Sequence, residues 1–417
     1  MKFKLTKLEK QWVLYDVGNS AFTLLVSTIL PIYFNYLTSN AGLTDAQYTA
    51  YWGYAVSITT VLVAISGPIF GTISDYRGYK KPIFTASILI GAIACIALGI
   101  PQQWFIFLVV FVIAKFGYSV SLVFYDSMLT DVTTDDRMDV VSSQGYAWGY
   151  IGSCIPFLIC LALVLTYDSI GISMSTAMAI SFIIIAAWWI ISSLPLLKNY
   201  KQKAYVERQP HAIRKTFSRL WETIKGLKND KQVLFFLLAF FFYIDGVYTI
   251  IDMATTYGTA LGLDTTGLLL ALLVTQIVAF PCSILFGRLA QKYPTERLIT
   301  ICIIAYTGIA VFAVFMSMQI HFWILAVCVG IFQGGIQALS RSYFAKIVPP
   351  EKSGEYFGLM DICGKGAAFL GTMIVSVVSQ VTGNPSLGVG SLVVLFIVGI
   401  ILFRKTVAVG KQQKSAR

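Results

Sequence analysis

The chain has 417 residues, of which 57% are hydrophobic and only 12% charged, with a mean hydropathy of +0.75. Soluble globular proteins carry about twice that share of charge, which excludes an ordinary soluble fold. The formal net charge of +11 has the sign of a nucleic-acid binder, but the placement of the basic residues accounts for it without one.

The N-terminus sets lysines ahead of an apolar run, in the manner of a secretory leader. The run is too long, contains Asp16 and Asn19 and lacks a small-residue cleavage site, so it reads as a first span. Apolar segments of spanning length, roughly 20 residues each, fall near 12–37, 48–73, 82–100, 103–128, 142–166 and 172–195. After a polar stretch they resume near 232–258, 264–287, 297–317, 321–346, 355–380 and 386–403. Apolar on all sides, with interspersed Gly and few charges, they predict lipid-embedded helices. The expected fold class is an all-α polytopic membrane protein of twelve transmembrane helices in two six-helix bundles. The bundles are expected at 1–195 and 232–417, joined by a basic linker at 196–231.

An even number of spans puts both chain ends on one side. The six loops on the other side, around 38–47, 101–102, 167–171, 259–263, 318–320 and 381–385, contain no Lys or Arg. Lys115 and Lys365 lie well inside spans, and the remaining basic residues fall at or near the side of the tails. This asymmetry predicts a cytoplasmic location for both termini in a bacterial-type cell membrane. The linker holds ten basic residues against Glu207, Glu222 and Asp230. Its Phe217, Leu220, Trp221, Ile224 and Leu227 recur at helical spacing, which fits either an amphipathic helix on the membrane surface or a solvated connector.

No chemistry of a soluble enzyme is legible. Cys95, Cys154, Cys160, Cys282, Cys302, Cys328 and Cys363 fall in apolar stretches without a Cys-x-x-Cys pair, and His211 and His321 are far apart. A phosphate loop with Gly-Lys-Ser/Thr, a Gly-x-Ser-x-Gly elbow and a His-Glu-x-x-His helix are all missing from the sequence. No enzyme activity, cofactor or metal is expected. The energy source would be an ion or substrate gradient, or transport would be facilitated diffusion.

Polar and ionisable groups inside spans are costly and face a cavity or one another. In the first span Asp16, Asn19, Thr23 and Ser27 share a face, in the fourth Lys115, Ser119 and Asp126, in the seventh Asp245, Tyr248 and Asp252. In the tenth, Gln333, Gln337 and Arg341 follow four-residue spacing. Lys115 and Asp245 lie about midway along their spans. Asp16, Asp126 and Arg341 lie within two turns of the tail side, where gate ion pairs are as good a reading as substrate contact. Asp361 and Lys365 are placed for a local pair on the eleventh helix. Gln276 reads as an interhelical hydrogen bond, and the Gly runs 330–335 and 364–371 as close helix packing.

The end of the second span carries Gly71, Asp75, Arg77, Gly78, Lys80 and Lys81. It resembles the loop signature of the major facilitator superfamily, with Tyr76 and Tyr79 where basic residues are common. A second copy, from Gly287 to Arg297, has Gln291 in place of the Asp. The physical logic is that Gly71 admits a close helix approach while Asp75 accepts amides at a neighbouring helix N-terminus. The opening Trp12, Tyr15-Asp16, Asn19-Ser20-Ala21-Phe22 is similar to one branch, the vacuole-effluxer-like family, whose fungal members are autophagy-related amino-acid effluxers. Phe124-Tyr125, Gln144 to Ala147, Tyr243 to Val247, Met253 to Gly258, Gln333 to Phe344, Phe357-Gly358 and Lys365 extend the match in order along the chain.

The resemblance implies that the first, fourth, seventh and tenth helices line a central cavity, where the polar faces lie. It implies a secondary transporter for a small organic solute, amino acids first, working by alternating access; a monomer is expected, and a midplane carboxylate at Asp245, with no histidine in any span, predicts proton coupling. Expected substrate contacts are Asn19, Lys115, Asp245, Tyr248, Gln333 and Gln337. Lys115 would take a carboxylate and Asp245 an ammonium group, or the two would pair with each other. Proton coupling is expected at Asp245, with Asp252 second, and gating at Asp16, Asp75, Arg77, Asp126, Arg341 and Lys365. Asp75 is expected to latch onto the start of the eleventh helix near Glu355 to Phe357. Expected partners are the substrate and the bilayer, with no nucleic acid. A non-transporting sensor, scaffold or lipid-handling protein on the same fold is the alternative.

Overall fold

The computed structural model describes residues 3–100, 103–207 and 212–415. The loop at 101–102 and His211 lie outside the described residues. Among the described residues, twelve helices are long and apolar enough to cross a membrane: Lys7–Asn40, Gln47–Ser74, Lys80–Ala97, Trp104–Val132, Met138–Thr166, Met174–Asn199, Lys231–Ala260, Leu270–Leu289, Thr295–Val314, Gln319–Ile347, Pro350–Thr382 and Pro385–Gln413. They are called here the first to twelfth spans. The expected spans all appear, but most helices run past the apolar window. The first begins at Lys7 because Thr6 and Glu9 close a reciprocal capping box. Hydropathy reads the lipid-facing stretch, whereas caps set the helix ends.

The first span carries a π-helical turn at Leu25–Ile29. Below it Asp16 and Asn19 are buried, while Thr23 and Ser27 are exposed. Within the first bundle the first span packs on the fifth and sixth, and the third on the fourth. Within the second, the eighth packs on the tenth and the seventh on the twelfth. The bundles meet along two seams, second against eleventh and fifth against eighth. Small residues make the first seam possible. A Cβ at Gly71 would sit 2.2 Å from the Gly354 carbonyl oxygen, and one at Gly358 would sit 2.7 Å from the Pro68 Cα. All seven cysteines are free thiols.

The connector between the bundles is ordered against the protein. Val206 donates its amide to the Asp75 carbonyl at 2.8 Å and accepts from the Arg77 amide at 3.1 Å. A helix, Ala212–Gly226, then lies along the end of the second span. Thr216, Thr223 and Leu227 are buried, whereas Phe217, Trp221 and Ile224 are exposed.

Candidate functional site

The start of the first span and the end of the twelfth lie on the same side of the bundle, called here the terminal side. There the two bundles are joined by three clusters of buried polar groups. At the seam of the second and eleventh spans, Asp75 accepts the backbone amides of Gly354 at 2.8 Å and Glu355 at 3.0 Å. Those amides belong to the first turn of the helix Ser353–Thr382, whose unsatisfied donors and dipole favour an anion. The contact includes Glu355, the first of the expected 355–357, and begins one residue before it at Gly354. Lys80, also fully buried, donates to Ser353 at 2.8 Å and lies 3.8 Å from Asp75 and 3.9 Å from Asp131. Tyr200 donates its hydroxyl to Asp131 as well. Burial pushes the Asp75 carboxyl up to about 6, against the pull of Lys80, the Glu355 amide, Arg219 and the Gly354 amide.

The second cluster centres on Arg341 of the tenth span. Its guanidinium donates to Asp126 at 2.8 Å, to the Ser142 hydroxyl at 2.9 Å and to the Ser142 carbonyl at 3.0 Å. Asp16 lies 3.8 Å away and takes a hydrogen bond from Tyr125 at 3.1 Å. The rings of Trp12, Tyr125 and Tyr146 surround the cation at 4.6, 5.3 and 4.4 Å from their centroids. The expected gate residues Asp16, Asp126 and Arg341 are therefore brought together.

The third cluster escaped the sequence reading. Asp139, in the first turn of the fifth span, accepts from Ser342 at 2.6 Å, Thr295 at 2.8 Å and Lys346 at 2.5 Å, all from the second bundle. A carboxylate in the first turn of a span and a lysine in the last turn of another were the available signals. Gln291, the counterpart of Asp75, is exposed. The polar latch on this seam has moved from the loop to Asp139.

Other expected site residues are placed differently. Arg77 faces the connector, 3.6 Å from Glu207 and over the Tyr205 ring, rather than a gate between bundles. Its basic turn packs under the linker, which takes the side chain away from the seam. Lys365 closes on Asp361 at 2.5 Å, one turn earlier on its own helix. Gln337 accepts a hydrogen bond from Tyr150 at 3.1 Å across the bundle interface, and Gln333 is buried beside the same ring. Asn19 is buried against Asp16.

The expected Lys115–Asp245 pairing does not occur. Asp245 is fully buried and its Oδ1 accepts from the Gly371 amide at 2.8 Å and from Thr249 at 3.3 Å. Its Oδ2 has no hydrogen-bond partner among the described residues. A glycine at 371 explains this turn toward the eleventh span, because a Cβ there would sit 2.3 Å from Asp245 Oδ1. Lys115 instead faces Asp252 of the seventh span and the like charge of Lys365 of the eleventh, without closing to ion-pair distance on Asp252. Tyr248 borders the same space with Asp126, Asp252, Asp361 and Tyr118, and Tyr118 is bonded to Thr23 at 2.6 Å. Charged groups from both bundles thus meet around one central space, beyond the polar clusters of the terminal side.

The profile of the family described as vacuole effluxer Atg22-like matches residues 40–138 and 130–417. The chain belongs to this family. An MFS-type transporter of Bacillus subtilis (strain 168), YxiO, is 43% identical over 407 residues, covering 96% of this chain and 95% of the relative. Autophagy-related protein 22 of Kluyveromyces lactis is 22% identical over 378 residues, covering 82% of this chain and 75% of the relative. Among solved structures, the major facilitator transporter FucP in its outward conformation superposes with a TM-score of 0.74 at 16% identity, over 96% of this chain and 97% of that one. The human organic anion transporter MFSD10 gives a TM-score of 0.75 at 12% identity, over 95% and 99%. The effluxer-family chain therefore has the major facilitator fold and is an integral membrane transporter, not an enzyme.

Proposed function

We propose that this transporter moves a small zwitterion, an amino acid first, between a cavity open away from the chain ends and the cytoplasm, where both ends lie. The observation that carries the reading is the unpaired facing of Lys115 and Asp252 from opposite bundles. Separated opposite charges fit a ligand carrying both a carboxylate and an ammonium group, with the Tyr118 and Tyr248 rings bordering the space. A scaffold has no need to place such charges inside membrane spans, where each is costly. The polar seals at Asp75, Arg341 and Asp139 lie on the terminal side, up to Tyr150–Gln337 about midway, which supports an outward-open state of an alternating-access cycle.

Proton coupling is assigned to Asp245. An ionised carboxylate buried without a cation is costly, and a proton is the smallest group that relieves it. Asp252, facing Lys115, is the second candidate.

The test is uptake of radiolabelled amino acids by proteoliposomes. Lys115→Gln and Asp252→Asn should each lower uptake at least tenfold while the protein elutes normally on size exclusion. Unchanged amino-acid uptake in both variants ends the zwitterion reading. The assigned sidedness is checked with cysteines at Thr44, Ser169 and Asn384, which should react with an impermeant thiol reagent on intact cells; protection at all three sites ends it.

A further inference from the structure

The helix Ala212–Gly226 has three distinct sectors, as its 3.6-residue period requires. One holds Thr216, Leu220, Thr223 and Leu227 against the protein. The next, roughly a quarter-turn away, holds Phe217, Trp221 and Ile224, which are 65%, 58% and 38% exposed. The third, turned further from the protein, holds Ser218, Glu222 and Lys225. An apolar stripe beside the docked face, not opposite to it, is what a helix wedged between a membrane protein and the headgroup layer would show. A helix lying in bulk water has no use for three large exposed apolar residues there.

The charge is complementary to an anionic leaflet. The Lys225 ammonium sits 5.4 Å over the Trp221 ring, and Lys228 and Lys231 continue as exposed cations beyond it. Trp with flanking Lys is the interfacial anchor chemistry. The docked face, in turn, reaches both bundles. The Arg219 guanidinium lies 3.6 Å from Asp75 Oδ2 of the first bundle, 3.2 Å from Glu355 Oε2 of the second and 5.2 Å over the Tyr76 ring. It touches both partners as charge on charge, without an aligned hydrogen bond to Glu355. Parting the two bundles on this side must break one of these contacts.

We propose that the connector helix is a lipid-responsive clasp: Phe217, Trp221, Ile224 and Lys225 bind the anionic headgroup layer, and Arg219 transmits that binding by holding the terminal side closed. The effect is reciprocal, since whatever favours the docked helix in the closed state is disfavoured by opening. More anionic lipid therefore shifts the resting population toward the closed terminal side. The inference rests on the alternating-access reading but not on the substrate or the coupling ion.

The experiment uses the full chain in vesicles of pure phosphatidylcholine or with added phosphatidylglycerol. Spin labels at the exposed positions Asp136 and Lys292, one in each bundle, report terminal-side distance without any substrate. Native protein should show the ratio of closed to open populations rising about fivefold with anionic lipid, the scale of one basic side chain gaining a headgroup. The variant Phe217→Ser/Trp221→Ser/Ile224→Ser should show the same ratio in both lipids, and Arg219→Gln should uncouple distance from lipid while Trp221 still binds. Binding is read separately as bromolipid quenching lost in Trp221→Phe. A lipid-independent ratio in native protein, or a lipid response surviving in the triple variant, overturns the proposal. So does a dimer that the triple variant dissolves, since a second copy would then be the occupant of the stripe. Failure of amino-acid uptake leaves these distances untouched, so the two readings fail separately.

Discussion

The Arg341 guanidinium and the Asp126 carboxylate meet at 2.8 Å, binding the tenth span of one bundle to the fourth span of the other. Around this pair Ser142, Asp16 and three aromatic rings complete the coordination of the cation. Removing one member of a buried pair leaves the other uncompensated, typically at about 3–5 kcal/mol. Arg341→Gln should therefore destabilise the closed terminal side and lower the melting temperature. Arg341→Lys should rescue little, because one ammonium cannot reproduce the planar fork that serves Asp126 and Ser142 together. Thermal unfolding of both variants in the same detergent checks this; full rescue by Lys would refute it.

Asp75 and Asp139 hold the two seams, and Gln291 holds neither. Asp75→Asn and Asp139→Asn should each lower transport about tenfold at near-normal expression, since an amide has a single acceptor oxygen and leaves buried donors of the other bundle without a partner, at about 1–3 kcal/mol. Gln291→Asn should have little effect. Equal sensitivity at all three positions would count against the latches. Asp75 also gives a pH sign. Its carboxyl is held up at about 6 in the closed state, above the ordinary value of 3.8. A group raised in one state favours that state at low pH and loses that contribution as pH rises. Closure should therefore be strongest below about 4 and weaken as pH passes about 6. Distance measurements between pH 5 and 7 should show opening with alkalinity, flattened in Asp75→Asn.

Gly71 lies under the Gly354 carbonyl, where a methyl group would stand 2.2 Å from the oxygen. That oxygen belongs to the backbone and does not yield as a side chain would. Gly71→Ala should force the second and eleventh spans apart on the terminal side and bias the transporter away from the closed seam, with transport falling at least tenfold. Gly53, which has open space around it, is the control: Gly53→Ala should be tolerated. Cysteine accessibility on the terminal side of both variants measures the difference.

Asp245 separates a coupling role from a structural one. If it carries the proton, Asp245→Asn should abolish accumulation against a gradient but preserve exchange of internal for external substrate. If it only braces the eleventh span through the Gly371 amide, both activities and the melting temperature should fall together. Intact accumulation with unaltered pH dependence in that variant ends the coupling hypothesis.

The sequence by itself determined the twelve spans and the basic connector, because burial in lipid is priced residue by residue and leaves a one-dimensional record. It also marked Asp75 as an acceptor for a helix N-terminus and Gly71 as a close approach, since a helix N-terminus attracts an anion and a missing side chain admits a neighbour whatever surrounds them. Partnership was another matter. Asp245 and Asp252 lie two helical turns apart on one face, so spacing gives them equal claim on Lys115. Only the packed structure chose Asp252, because the bare backbone at Gly371 offers Asp245 an amide at 2.8 Å. In the same way Phe217 and Leu220 share one apolar pattern, yet one is exposed and the other faces the protein. Helix periodicity fixes which residues share a face; the rotation of each helix against its neighbours, set by tertiary packing, decides what that face meets.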